Sequence, residues 1–343
     1  MSSSLVELDC LEVLVIVDNE VDPMSKYQNP GLLVSGRLID IALTSPHYPD
    51  QRGKGCRELQ MNSLCCGAHG LSLMITAMKG DKKRTILFDT APEEHVWELN
   101  AKRLQPDLAS IDLIHLSHWH RDHSGGMLRA IRMINDAKST ENTSMKRVTV
   151  DLHPSRPDYR GMMVPGFPVS LEADPSFEEI GAAGAIISKN SNTHTALDDM
   201  FLISGEIPRQ TSYELGLKGG IRFDCFTRTW SEDTLILDER FLMCKLKDRG
   251  IVLFTGCSHA GVINASKHAV ELGGGSPLYA VVGGFHLADA EAPQLHETVQ
   301  DFKALFPKLL LPGHCSGWRV KCKIEQEMPG CLAPLTVGTK FTF

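Results

Sequence analysis

Apolar residues recur along the chain with two different periods. The run LEVLVIV at 11–17 ends at Asp18 and Asn19, a strand leading into a turn-forming pair. HGLSLMITAMKG and KRTILFDT predict a hairpin, with GDKK supplying the turn. PEEHVWELNAKRLQ instead has helical spacing, with Val96, Leu99 and Leu104 roughly on one face. IDLIHLSH is the next strand and SGGMLRAIRMIND the next helix. The polar, non-periodic tract DAKSTENTSMKR predicts a surface loop before the strand VTVDLH.

Residues 154–230 are broken by Pro and Gly and offer only short strand candidates such as AIISKN and MFLISGEI. DTLILDER and FLMCKLKDRGIVLFTG predict strand hairpins, and VINASKHAVELGG a helix stopped by glycines. The strand LYAVVGGFHL, the helix PQLHETVQDFKALF and the strand KLLLPGHCSG follow. Strands and helices alternate in both halves, with no internal repeat or long low-complexity linker, which favours a layered α/β sandwich. Residues 20–66 resist this reading. There Pro, Gly, Asn and Tyr interrupt any period, and SPHYPDQRGKGCRELQMN reads as an exposed excursion.

With 343 residues the chain can bury a sizeable core, as one large α/β domain or two small ones. Its formal charge of -7 argues against a surface that coats nucleic acid and mildly against an anionic membrane, though not against one local basic pocket. LEVLVIV is too short to span a bilayer, carries Glu12, and follows no basic leader region. Ten cysteines are scattered, with the adjacent pair Cys65 and Cys66 and no CxxC module. Free thiols in a reducing compartment, by default the cytoplasm, are the expectation.

The informative segment is HLSHWHRDHSGG. An apolar strand brings Ser117 to a turn that carries His118, His120, Asp122 and His123, all metal-competent and all within six residues. Alternate residues of an extended tip point to one side, so His118 and His120 can grip one ion. Asp122 and His123 can then turn toward a neighbouring position. A single exposed His or Asp on a turn ordinarily does nothing. Four packed together without an ion gain nothing structural. Imidazole and carboxylate suit one or two divalent ions, with zinc first and iron or manganese as alternatives.

A strand-terminal HxHxDH resembles the signature of the metallo-β-lactamase superfamily, and later landmarks stand in the same order. TILFDT is similar to the strand ending in a buried Asp, here Asp89, that braces the metal loop in those proteins. VLFTGCSH is similar to a later strand ending beside the metals, where many members have TGD. LPGHCSG is similar to the final strand, whose terminal His, here His314, completes the site. Within the superfamily the chain resembles the dihydropterin-ribofuranosylaminobenzene phosphate synthase-like branch. VDN, HGLS, ILFDT, SGEIPR, TGCSHAG, GGFHL and GHCSG occur in order from Asp18 to Gly317. The resemblance implies a single domain over 1–343 with an αββα sandwich: two mixed β-sheets face to face, helices outside, metals at one edge.

The chain also departs from that branch. Ala91 follows ILFDT where a Gly is usual, and residues from about 35 to 64 read as an insertion and a candidate lid. No GHT-like segment stands between the first cluster and residue 250, so the ligand usually supplied there must come from elsewhere. His259 is the candidate. Cys257 is the alternative, falling where many members place a metal-bridging Asp. Without a bridge at Cys257 a second ion would be held loosely, and a mononuclear state is expected. His286, after two glycines, reads either as a core histidine or as a substrate contact and proton donor facing the metals. Glu206 and Arg209 are candidate cleft residues, Arg209 as an anion contact or a solvated surface charge. His69 is balanced between a site role and none. His47, His95, His115, His153, His194, His268 and His296 show no partner spacing and read as structural or exposed.

A divalent ion lowers the pKa of its bound water to about 7, giving hydroxide at neutral pH, and polarises a carbonyl or phosphoryl oxygen. The leading expectation is therefore a metal-dependent hydrolase of an ester, lactone or phosphoester, with Asp122 and His286 as catalytic residues. The branch resemblance implies an alternative, a synthase-type transferase that joins a pterin-methyl group to an aminobenzene ribosyl phosphate with loss of diphosphate. A third is a metal-binding protein with little turnover. The expected partner is a small molecule, phosphorylated ones included, rather than nucleic acid or membrane.

Overall fold

The computed structural model describes residues 5–27, 29–49, 52–53, 57–140 and 147–343. Two large mixed sheets pack face to face. The first has eight strands in the order Ile186–Lys189, Thr149–Leu152, Ile111–His115, Lys82–Phe88, Ser72–Lys79, Cys10–Val17, Lys340–Thr342 and Leu33–Ser35. The second runs His194–Ala196, Phe201–Ile203, Leu242–Leu246, Gly250–Thr255, Leu278–Gly284 and Leu309–Gly313, with Glu7–Leu8 added beside Leu242–Leu246.

Side chains of successive strand residues go to opposite faces, which explains why GIVLFT and LYAVVGG are apolar at almost every position. Val252, Phe254, Ala280, Val282, Leu309 and Leu311 meet Leu73, Ile75, Ile86 and Phe88 between the sheets. Ile251, Leu253, Val281 and Leu310 face outward and are covered by helices Val262–Leu272, Ala292–Leu305 and Trp318–Glu327. Trp97, Ala130, Ile131 and Ile134, on helices Glu94–Leu104 and Met127–Thr140, cover the first sheet. This is the αββα order, and among the described residues no helix is long and apolar enough to cross a membrane.

A third, wholly antiparallel sheet was not anticipated. Thr229–Glu232, Gly220–Asp224, Tyr159–Val164 and Phe167–Ser170 form it within the stretch where turn residues had hidden any period. DTLILDER is a second departure: the strand ends at Glu232, and residues 233–240 are loop and turn. The helix Met127–Thr140 also continues into the tract read as a loop, and residues 141–146 of that tract lie outside the described residues.

Residues 35–64 include the helix Leu38–Thr44 and a short 3-10 turn, Met61–Ser63, with 50, 51 and 54–56 outside the described residues. Among the described residues, none from 35–64 lines the cleft over the metal-competent side chains.

Candidate metal centre

Parallel pairing of Lys82–Phe88 with Ile111–His115, and of Gly250–Thr255 with Leu278–Gly284 and Leu309–Gly313, brings the carboxyl ends of these strands to one edge. Every candidate ligand follows one of them closely, Asp122 and His123 in the short helix Arg121–Ser124 and His314 at the start of the 3-10 turn His314–Ser316. Ser258, His286 and His314 adopt left-handed backbone with φ of 68°, 48° and 47°, as does Asp89 at 57°. Such conformations are costly for residues with a side chain and cluster where a site dictates direction. Ala91 takes φ 66°, the conformation a Gly would adopt without strain.

Two groups of side chains converge. In one, His118 Nε2 lies 2.9 Å from His120 Nδ1, and His259 Nε2 lies 3.1 Å from the same atom. In the other, Asp122 Oδ2 is 3.1 Å from His314 Nε2 and 3.6 Å from His123 Nε2. Cys257 Sγ is 3.1 Å from His123 Nε2 and 3.3 Å from His314 Nε2. Within each group all ligand atoms lie within 4.8 Å of one another. Zinc–nitrogen bonds of 2.0–2.1 Å at tetrahedral angles put ligand atoms roughly 3.3 Å apart. Both groups fit that spacing.

His259 and Cys257 are therefore not alternatives. His259 joins His118 and His120, while Cys257 stands with Asp122, His123 and His314. The expectation of a loosely held second ion set Cys257 outside the donor set, whereas its Sγ lies among the donor atoms of the second group.

Electrostatics agree with the donor set at His118, His120, His259 and His314. Burial holds His118 and His259 well below the ordinary histidine value and lowers His120 to about 3. His314 is pushed down to about 4, again chiefly by burial. These rings are neutral and offer lone pairs. Three neutral imidazole nitrogens meeting at one point cannot all satisfy one another by hydrogen bonds, since each ring has a single N–H; a shared cation satisfies all three. His123 differs, because Asp122 and Asp89 outweigh the effect of its burial and hold it up at about 9. Asp122 is held well below the usual carboxylate range, His123 and His314 overcoming its burial. Burial, and then the neighbouring Cys315, keeps the Cys257 thiol well above its normal value. A cation there would take the place of that proton.

Second contacts fix the ligands. Asp89 accepts from Ser117 N at 2.7 Å and Ser117 Oγ at 2.8 Å, and its Oδ2 is 2.7 Å from His123 Nδ1. Ser117 Oγ in turn lies 2.9 Å from His118 Nδ1, which leaves Nε2 as the ligand atom. Asp18 accepts from His314 N at 2.8 Å, and Asn19 Oδ1 is 3.0 Å from His314 Nδ1. The VDN tag thus serves the last strand's histidine.

A cleft of about 1050 Å³ opens over both groups. His286 lines it, its ring centroid 4.5 Å from that of His259. His69 is exposed at the rim, with Nε2 3.6 Å from Asp122 Oδ2 and Nδ1 3.0 Å from Asn19 Nδ2. The far wall comes from the third sheet and the loops beside it, through Met162, Leu171 and Leu217, with Trp318 opposite in sequence at the last helix.

Two candidates lie elsewhere. Glu206 is exposed and does not line the cleft. Arg209 donates to the backbone carbonyls of His259 and Leu235, so it braces a loop instead of meeting an anion. Sequence reasoning missed Asp238, Glu239 and Arg160, the first two lying in the segment DTLILDER that reads as a strand hairpin. A run of three charged residues after LIL was the available signal.

Sheets face to face, helices outside and metal-competent loops at one edge make this a metallo-β-lactamase-fold protein. A solved metal-dependent hydrolase of the β-lactamase superfamily superposes with a TM-score of 0.65 over 96% of this chain and 98% of that one, at 19% identity. In sequence the chain is similar to the 7,8-dihydropterin-6-methyl-4-(β-D-ribofuranosyl)-aminobenzene-5'-phosphate synthase of Methanocaldococcus jannaschii, 27% identical over 295 residues, or 82% of this chain and 92% of that protein. An uncharacterised protein of the same organism is 28% identical over 258 residues, 75% of this chain and 88% of its own. No protein-family model matches.

Proposed function

We propose that the protein is a metal-dependent hydrolase acting on an ester, lactone or phosphoester of a small molecule. The observation that carries this reading is the convergence of two ligand groups on the floor of one open cleft, with half-buried Asp122 at its surface. His118, His120 and His259 would hold one divalent ion; Asp122, His123, Cys257 and His314 would hold the second. Zinc is the first candidate and iron or manganese the alternatives. Such ions, when bound, make water nucleophilic at neutral pH and polarise the oxygen of the scissile group.

The remaining work falls to the chain. Asp122 accepts a hydrogen bond from, and so orients, the attacking water. His286 is held below the ordinary histidine value by burial and is neutral at pH 7. A neutral imidazole still carries one N–H, which His286 offers to the oxygen that gains charge or to the leaving group. The apolar wall of Met162, Leu171 and Leu217 excludes water from the substrate's body.

A second reading is a synthase-type transferase, favoured by the 27% identity to the Methanocaldococcus synthase across most of both chains. Within the cleft, Arg121 is engaged by Glu172 at 3.1 Å and by the Ala173 carbonyl, so substrate phosphates would rest chiefly on the metal positions.

Elemental analysis of protein purified without added metal, beside the variant carrying His118→Ala and His120→Ala, tests the shared premise. One or two equivalents in the wild type and fewer in the variant are expected. Folded wild type that takes up no divalent ion on reconstitution would sink both readings. Turnover of aryl esters, lactones or a phosphodiester then separates them from diphosphate-releasing transfer.

A further inference from the structure

We infer that the tripeptide Asp238, Glu239 and Arg240 is a positioning element that sets the spacing of His118, His120 and His259. The inference rests on the reading of these histidines as metal ligands. Three consecutive residues of an irregular loop reach every stretch of backbone that carries this group.

Asp238 Oδ2 accepts from Trp119 N at 2.8 Å, the peptide unit between His118 and His120. Arg160 closes on the same residue from the other side, Nη1 donating to the Trp119 carbonyl at 2.7 Å while its Nη2 pairs with Asp238 Oδ1. Glu239 spans the other loop. Its Oε1 accepts from His259 N at 2.8 Å and its Oε2 from Ala260 N at 2.6 Å. Arg240 donates from its backbone N to Ser117 O at 2.9 Å and from Nη2 to Leu116 O at 3.1 Å. All three side chains are buried, so these contacts are not exchanged for water.

The two loops belong to different sheets, His118 and His120 after Ile111–His115 and His259 after Gly250–Thr255. A rigid segment of three residues fixes the distance between its own side chains, and so between the loops they hold. Residues that orient metal ligands without touching the metal typically change metal affinity 10–100-fold when removed. Burial of a carboxylate for support alone would not need one on each loop.

Cobalt binding to the full chain tests this, with Glu239→Ala, Glu239→Gln and Asp238→Asn compared with Glu214→Gln. Glu214 is an equally buried carboxylate that accepts from Ile263 N and Asn264 N, both at 2.9 Å, and so supports a helix instead of a ligand loop. Glu239→Ala is expected to weaken cobalt binding about 10–100-fold and to shift the visible d–d bands, with Glu239→Gln falling between it and wild type. The near-ultraviolet thiolate band, arising at Cys257, stays. Glu214→Gln lowers the melting temperature but leaves the bands in place. Wild-type affinity and bands in the folded Glu239 variants would overturn the inference. If those variants do not fold, Asp238→Asn, whose single amide oxygen can accept from Trp119 N or from Arg160 but not from both as the carboxylate does, decides it by the same bands, and unchanged bands overturn it. Wild type that binds no cobalt refutes the metal reading itself, a different result.

Discussion

His123 Nε2 and Cys257 Sγ lie 3.1 Å apart, though 134 residues separate them in the chain. One comes from the first sheet's loop and the other from the end of the second sheet's central strand, so this group closes only when the sheets pack. Cys257→Ala removes one of four ligands there and none from the group of His118, His120 and His259. The expected result is a fall from two bound equivalents toward one, read by elemental analysis after dialysis. Two equivalents retained in the variant would show that the thiolate is not a ligand.

Arg240 Nη1 and Asp151 Oδ1 are 2.6 Å apart and both buried. Asp151 also faces His115 Nδ1 at 3.2 Å and His194 Nε2 at 3.1 Å, so its carboxylate is held well below the usual range, these partners outweighing its burial. Removing one member of such a pair leaves the other charge uncompensated, at about 3–5 kcal/mol. Asp151→Ala is expected to lose that much stability in urea unfolding at pH 7. A loss below about 1 kcal/mol would mean that Arg240 finds other acceptors.

The candidate ligands most legible in the sequence are those whose neighbours share their chemistry. HLSHWHRDH packs four into six positions, and His314 ends an apolar strand. His259 and Cys257 were also visible, but a linear reading could not tell that alternate residues after Thr255 would serve different groups. LIL before Asp238 mimics a strand, yet Ile236 takes φ 45° and turns the chain, so the charges that follow go inward. The third sheet was hidden for another reason. Phe167–Ser170 is exposed at every position, so no buried face imposes the alternation by which strands are recognised.

Asp174 couples this scaffold to pH. Burial raises its pKa to about 6 from 3.8, against the Ser124 hydroxyl that donates to it at 2.5 Å. The folded state holds the proton more tightly than the unfolded chain. Stability therefore falls as pH rises from about 4 to 6, and the penalty is constant above that, about 3 kcal/mol at most from two pKa units. Asp174→Asn keeps an acceptor for Ser124 and removes the charge. With chelator present, the variant should be more stable than wild type at pH 7 and nearly equal to it at pH 4. The same difference at both pH values would rule out this ionisation as the cause.

Trp318 is 71% exposed although it lines the cleft. Large apolar surface left in water at the mouth of a site is available to a ligand, whereas at a scattered surface position it would carry no meaning. It follows Gly317, whose φ of 79° turns the chain from His314 into the last helix, so that Trp318 lines the same cleft as the candidate ligands. A ring stacked on the substrate's body contributes equally to ground and transition states, so its removal changes binding and not the chemical step. Trp318→Ala is expected to raise KM about 10-fold, equivalent to about 1.4 kcal/mol, with kcat nearly unchanged, for whichever substrate proves active. Metal content should not change. A variant with wild-type KM and reduced kcat would place the indole against the reacting atoms instead of against the substrate's body.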